Sequence, residues 1–301
     1  MDILQKNSVD KAFEYCAKIT RDHYENFPVA SLLIPYEKRP YIQSIYAFAR
    51  LADDFADESN LSPIERIKLL DDWEEQLKMC YKGEAQHPVF IALSETVSKL
   101  SIPIEPLANL IYAFKMDVQK NRYKSSEELL TYCKHSANPV GRLVLMIFGY
   151  KDDKLFHLSD CICTALQLTN FAQDVSVDLL KNRVYLPEDE IISYGYSYEE
   201  LFAKVYNQNF IKLMQFQIER ARQLFYKGAE LINLVDKDLQ LELRLVWFGG
   251  MSVLNKIIKK KYNVFEDNVK LSLGNKIMIF LRGLFYNNVS LYKKKSLWDL
   301  N

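Results

Sequence analysis

The sequence is poor in residues that interrupt helices. It has nine glycines and nine prolines among 301 residues, which argues against a many-turned β fold. Cysteine is scarce too: Cys16, Cys80, Cys133, Cys161 and Cys163 are odd in number and show no paired C-x-x-C spacing. That excludes a disulfide scaffold and a common zinc site, and leads us to expect a reduced, cytoplasmic protein. No apolar run reaches the roughly 18–20 residues of a membrane span. The nearest candidate, Ile277 to Leu284, is broken by Arg282. The first residues, MDILQKNSVDKAFEYC, lack the apolar core expected of a secretory leader. Net charge is lacking as well, since Lys+Arg and Asp+Glu are 39 each, so bulk charge gives no reason to seek nucleic acid. There is also no glycine-rich nucleotide fingerprint.

What is present is helical periodicity with enough apolar residues, 49%, for a large core. The pattern predicts helices over 8–26, 41–57, 64–81, 88–100, 106–119, 126–134, 139–148 and 155–177. It predicts four more over 197–206, 209–234, 237–260 and 273–286. Ser62-Pro63 with Glu65 reads as a helix start, and Asn182 to Pro187 as a loop. No repeat or linker divides the chain, so the expectation is one all-α domain over residues 1–301.

Two acidic stretches stand out. In YAFARLADDFADE, the residues Tyr46, Arg50, Asp53 and Asp57 are spaced by four, three and four and share one helical stripe. In QLTNFAQDVSVDLLKNRVYLP, Gln167, Asn170, Asp174 and Asp178 do the same, and all four offer oxygen acceptors. One D-x-x-x-D can simply be a solvated face. Two, each on an otherwise apolar helix, suit Mg²⁺, which takes oxygen ligands and is shared between one or two carboxylates and a phosphate. A di-iron bundle would need Glu-x-x-His on two helices. The single instance, Glu84–His87, falls in a predicted loop between Gly83 and Pro88, which rules that arrangement out.

The chain resembles the squalene/phytoene synthase family. The resemblance lies in HYENFPVASLLIP from His23, YAFARLADDFADE from Tyr46, HPVF from His87, YCKHSANPVGRLVL from Tyr132, the second acidic stretch, and LRLVWFGG from Leu243. Within the family it is most similar to the bacterial hydroxysqualene synthases of hopanoid biosynthesis. The resemblance implies an isoprenoid-synthase-type helical domain with a central active-site cavity. It implies Mg²⁺ held by Asp53, Asp57, Asn170, Asp174 and Asp178. It further implies that His23, Phe27, Arg50, Gln167 and Arg183 bind substrate, and that Tyr132, Tyr46 and Arg50 act in the reaction.

Two departures from the family pattern are visible. Val-Ala-Gly after the tyrosine is replaced by Ser136-Ala137-Asn138, and the arginine preceding Asp174 is Gln173. The implied reaction ionises presqualene diphosphate and captures the rearranged cation with water, so NADPH is not expected. Other head-to-head prenyl synthases of the family are the alternative, with farnesyl diphosphate as substrate. A non-catalytic assembly factor on the same fold would be expected to have eroded aspartates. The resemblance also implies hand-over from a presqualene diphosphate synthase. The lysine runs at 259–261 and 293–295 are either solvated or drawn to anionic lipid, which would make a cytoplasmic protein peripheral on the membrane's inner face.

Overall fold

Helices begin where local chemistry satisfies their first amides. The computed structural model describes residues 3–23, 34–266, 269 and 271–285; Phe27 lies outside them. Among the described residues the regular structure is helical and no strand occurs. The helices are α1 (Ile3–Asp22), α2 (Arg39–Asp57), α3 (Pro63–Lys82), α4 (Pro88–Leu100), α5 (Glu105–Gln119), α6 (Ser126–Ser136) and α7 (Asn138–Ile147). They continue as α8 (Asp153–Gln173), α9 (Val175–Asp178), α10 (Glu188–Ser193), α11 (Tyr198–Phe202) and α12 (Gln208–Gly228). The last three are α13 (Leu231–Leu234), α14 (Lys237–Lys259) and α15 (Leu273–Phe285).

The Ser62 start is a full capping box. Its hydroxyl accepts from the Glu65 amide, and Glu65 Oε2 accepts from the Ser62 amide at 2.8 Å. Three expected helices change. The 155–177 stretch breaks at Asp174 into α8 and α9. The 197–206 stretch shrinks to α11, because Lys204 turns to φ 53° and Val205 N–H closes back on the Glu200 carbonyl. The 209–234 stretch divides into α12 and α13.

The chain forms two compact units: residues 1–119 with 139–152, and residues 120–138 with 153–301. In the first, α2 packs against α1, α3, α4 and α5. Its core centres on Trp73, whose ring lies 4.4 Å from Phe90 and stacks on Phe48 at 6.0 Å. A buried hydroxyl pair, Ser44 with Thr96 at 2.8 Å, joins α2 to α4. In the second, α8 packs along α12, and α14 packs on α8, α12 and α15. Glycines permit these approaches. A Cβ on Gly228 would sit 2.5 Å from Ile162 Cγ1 and 2.8 Å from the Leu158 carbonyl oxygen. Trp247 is fully buried and donates its indole N–H to the Phe225 carbonyl at 2.8 Å. Cys16, Cys80 and Cys133 are buried free thiols, each pushed up to about 12 by burial, and serve as packing groups.

Candidate functional site

The first unit carries its stripe on α2. Ile42, Ile45, Phe48, Ala52 and Ala56 bury one face of the helix. Tyr46, Arg50 and Asp53 are left half-buried, and Asp57 exposed, on the other. Pro40 in the first turn and the 3₁₀ turn Tyr36–Lys38 set the helix start. Arg50 forks: one arm reaches Asp53 Oδ2 at 3.4 Å and the other bonds Asp54. Burial pulls the guanidinium down, but the Asp54 hydrogen bond and the charges of Asp54 and Asp53 outweigh it, so its net shift is upward. Its Nε is buried and has no hydrogen-bond partner among the described residues. Asp54 was not among the expected site residues; its place one turn after Arg50 is the signal that would have found it. His23 ends α1 half-buried, and its backbone carbonyl, not its imidazole, takes a long 3.5 Å contact from the Tyr46 hydroxyl.

The second unit carries its stripe on α8 and α9. Gln167 is half-buried, Asn170 exposed, and Asp174 and Asp178 half-buried. The chain stays hydrogen-bonded through the break: Asp174 N–H donates to Asn170 O at 2.8 Å, and Asp178 N–H to Asp174 O at 2.9 Å. Burial and the charge of Asp174 push the Asp178 carboxyl up to about 7, opposed by Arg183 and Lys181. The returning loop is fixed locally. Arg183 N–H donates to Asp178 O, and Val184 N–H to Asn121 O, both at 2.9 Å. Arg122 reaches the Asn182 side chain at 2.6 Å. This brings Arg183 and Tyr185 into one crevice with Asp178 and Phe171.

Aromatic rings line up beside this carboxylate. Phe171 and Tyr185 stack with centroids 3.8 Å apart and planes at 7°. Tyr132, almost fully buried, lies 6.1 Å from each of them. Tyr123 adds a fourth ring, 5.6 Å from Tyr132. Tyr123 and Tyr185 were missed, although Tyr185 sits within the quoted VYLP stretch. Residues from four separate segments supply the cluster, and no single periodicity reports it.

Glu242 on α14 was missed too. Burial pushes its carboxyl up to about 7, and Oε2 is buried without a hydrogen-bond partner among the described residues. Glu84 lies in the expected loop, and His87 caps α4 by accepting from the Val89 amide at 3.2 Å. Cys133, beside Tyr132, is fully buried.

Among the described residues no group of three or more His, Cys, Asp or Glu could hold an ion by itself. The residues nonetheless fit Mg²⁺ shared with a phosphate. Their donors are all oxygens, and the half-buried Asp178 with Asp174 beside it is a like-charge pair that a cation would relieve.

Comparison with known proteins gives a consistent result. A family model described as squalene/phytoene synthase matches residues 20–275. A hydroxysqualene synthase from Sinorhizobium fredii is 34% identical over 252 residues, covering 82% of this chain and 84% of that protein. A phytoene synthase from Arthrospira platensis is 28% identical over 280 residues, covering 89% and 90%. Among solved structures, squalene synthase HpnC from Alicyclobacillus acidocaldarius aligns with a TM-score of 0.82 at 40% identity, over 85% of this chain and 96% of that one. A dehydrosqualene synthase in complex with a ligand aligns with a TM-score of 0.83 over 94% and 98%. At 24% identity that second likeness concerns the fold alone. The fold is the all-α isoprenoid-synthase fold.

Proposed function

Because the chain belongs to the squalene/phytoene synthase family, we propose that it is a hydroxysqualene synthase, one catalytic domain that converts presqualene diphosphate and water to hydroxysqualene and diphosphate. The observation that carries this reading is the 34% identity to a hydroxysqualene synthase, against 28% to a phytoene synthase. The Ser136-Ala137-Asn138 departure supports it. A second reading, another head-to-head prenyl synthase, is favoured by the phytoene synthases that match over more of the chain.

Asp53 and Asp57 on α2, and Asn170, Asp174 and Asp178 on α8 and α9, would hold Mg²⁺. When bound, that ion supplies charge neutralisation to the departing diphosphate. Arg50 and Arg183 add fixed positive charge for the phosphoryl oxygens, with His23, Phe27 and Gln167 contacting substrate. Breaking the carbon–oxygen bond sends the electron pair out with the diphosphate and leaves a carbocation. The faces of Tyr132, Phe171 and Tyr185 stabilise that positive charge without offering a nucleophile. Tyr46, one turn before Arg50 on the same stripe, would act with it in the reaction. Capture by water needs no reductant, so NADPH has no part in this route.

No helix among the described residues is long and apolar enough to cross a membrane. Helix α15 exposes Ile277, Phe280, Leu281 and Leu284, with Lys276 and Arg282 on the same helix. This exposed apolar face with its basic residues supports peripheral contact with anionic lipid on the cytoplasmic side; in this reading a presqualene diphosphate synthase would supply the substrate. Co-sedimentation with anionic but not zwitterionic vesicles is the expected outcome; equal recovery from both would remove the lipid contact.

The deciding experiment offers purified protein presqualene diphosphate or farnesyl diphosphate with Mg²⁺, with and without NADPH. Hydroxysqualene from presqualene diphosphate alone is expected. A thirty-carbon product from farnesyl diphosphate would instead select the second reading.

A further inference from the structure

Ser136 closes α6 one helical turn after Tyr132. Its Oγ is buried and has no hydrogen-bond partner among the described residues. Other hydroxyls in helices of this chain behave differently. Those of Thr20, Thr96, Thr131 and Thr169 each donate to the carbonyl four residues earlier, at 2.7–2.9 Å. The Ser136 hydroxyl is thus available to something other than its own helix, and a buried hydroxyl without a partner is costly to maintain.

Its surroundings are set firmly. Two residues on, the buried Asn138 accepts a hydrogen bond from Thr164 of α8 at 2.8 Å, which pins the end of α6 to that helix. Residues 132 and 136 share a face of α6, being four apart, and Tyr132 already touches Phe171 and Tyr185. A neutral hydroxyl is thereby placed one turn from the rings suited to a carbocation. It stands where the family pattern has a valine, which offers no hydrogen bond.

We propose that the Ser136 hydroxyl holds the water molecule that captures the carbocation, and so decides between an alcohol and a hydrocarbon product. The proposal rests on the hydroxysqualene reading above. In this step a lone pair of the water oxygen forms the new carbon–oxygen bond, and the proton lost from that oxygen leaves with the released diphosphate. Ser136 orients the water and undergoes no net change; it is a positioning residue. Without an oriented water the same cation loses a proton to give a polyene.

The test uses the full chain with presqualene diphosphate and Mg²⁺, reading diphosphate release and product identity separately. Wild type should yield the alcohol. Ser136→Val and Ser136→Ala should still release diphosphate while the alcohol fraction falls about tenfold, the equivalent of one lost hydrogen bond. Ser136→Thr, which keeps the hydroxyl, should keep the alcohol. An unchanged alcohol fraction in Ser136→Ala overturns the proposal, and this smaller variant serves if valine prevents folding. A wild-type chain that makes no hydroxysqualene overturns the underlying reading instead, and the proposal with it.

Discussion

The acidic stripes of the two units obey the same spacing but are physically unlike. On α2, the charges are compensated within one helix: Arg50 bonds both Asp53 and Asp54, and Asp57 is exposed. On α8 and α9, Asp178 is half-buried beside Asp174, and its carboxyl is pushed up to about 7. The first stripe has an arginine already paired with two carboxylates of its helix. The second holds an electrostatic cost that a bound cation would remove, which makes it the more informative of the two stripes.

The largest expected effect is on turnover. Asp53→Asn and Asp174→Asn should each lower kcat by at least about 10²–10³-fold, the scale of losing an electrostatic contact to developing charge, while circular dichroism shows unchanged helicity. Near-normal turnover in either variant would take that residue out of the metal site and break the equivalence of the two stripes.

Stability should separate them next. The Asp178 carboxyl lies above its unfolded value of 3.8, so the folded state holds its proton longer. Native stability should therefore decline as pH rises from about 4 to about 7 and level off above that. Asp178→Asn should remove the Asp178 share of this slope, leaving the parallel share of Glu242, and stabilise the metal-free chain at pH 8 by at most a few kcal/mol, because solvent screening at this half-buried group reduces the scale of about 1.4 kcal/mol per pK unit. Exposed Asp57→Asn should stay within about 0.5 kcal/mol. Urea midpoints at pH 5 and pH 8 measure both, and equal responses would erase the contrast drawn here.

Smaller effects probe the packing beneath each stripe. Gly228→Ala drives a methyl group against Ile162 and the Leu158 carbonyl, and should cost about 1–3 kcal/mol. Ser62→Ala in the first unit removes the capping hydroxyl that accepts from Glu65, and should cost about 1 kcal/mol. Thermal melts of the two variants rank them.

Much of this architecture is legible in the sequence because it is local. The 88–100 helix is found at its expected bounds, and the Ser62 cap forms as its residues dictate. The stripe on α2 follows from helical period alone. What escaped notice depends on tertiary contact. The break at Asp174, the Tyr123–Tyr132–Tyr185 cluster and the solitary Glu242 carboxyl all arise where separate elements meet. Asp54 was hidden for a different reason: of two adjacent aspartates, the motif spacing drew attention to the neighbour.

The most direct test of the second stripe is the effect of Mg²⁺ with inorganic diphosphate on melting temperature, in wild type and in Asp174→Asn. The wild-type Tm should rise with ligand concentration, as binding to the native state requires, and the variant should show little or no rise. A full rise in Asp174→Asn would place the cation elsewhere and contradict the account.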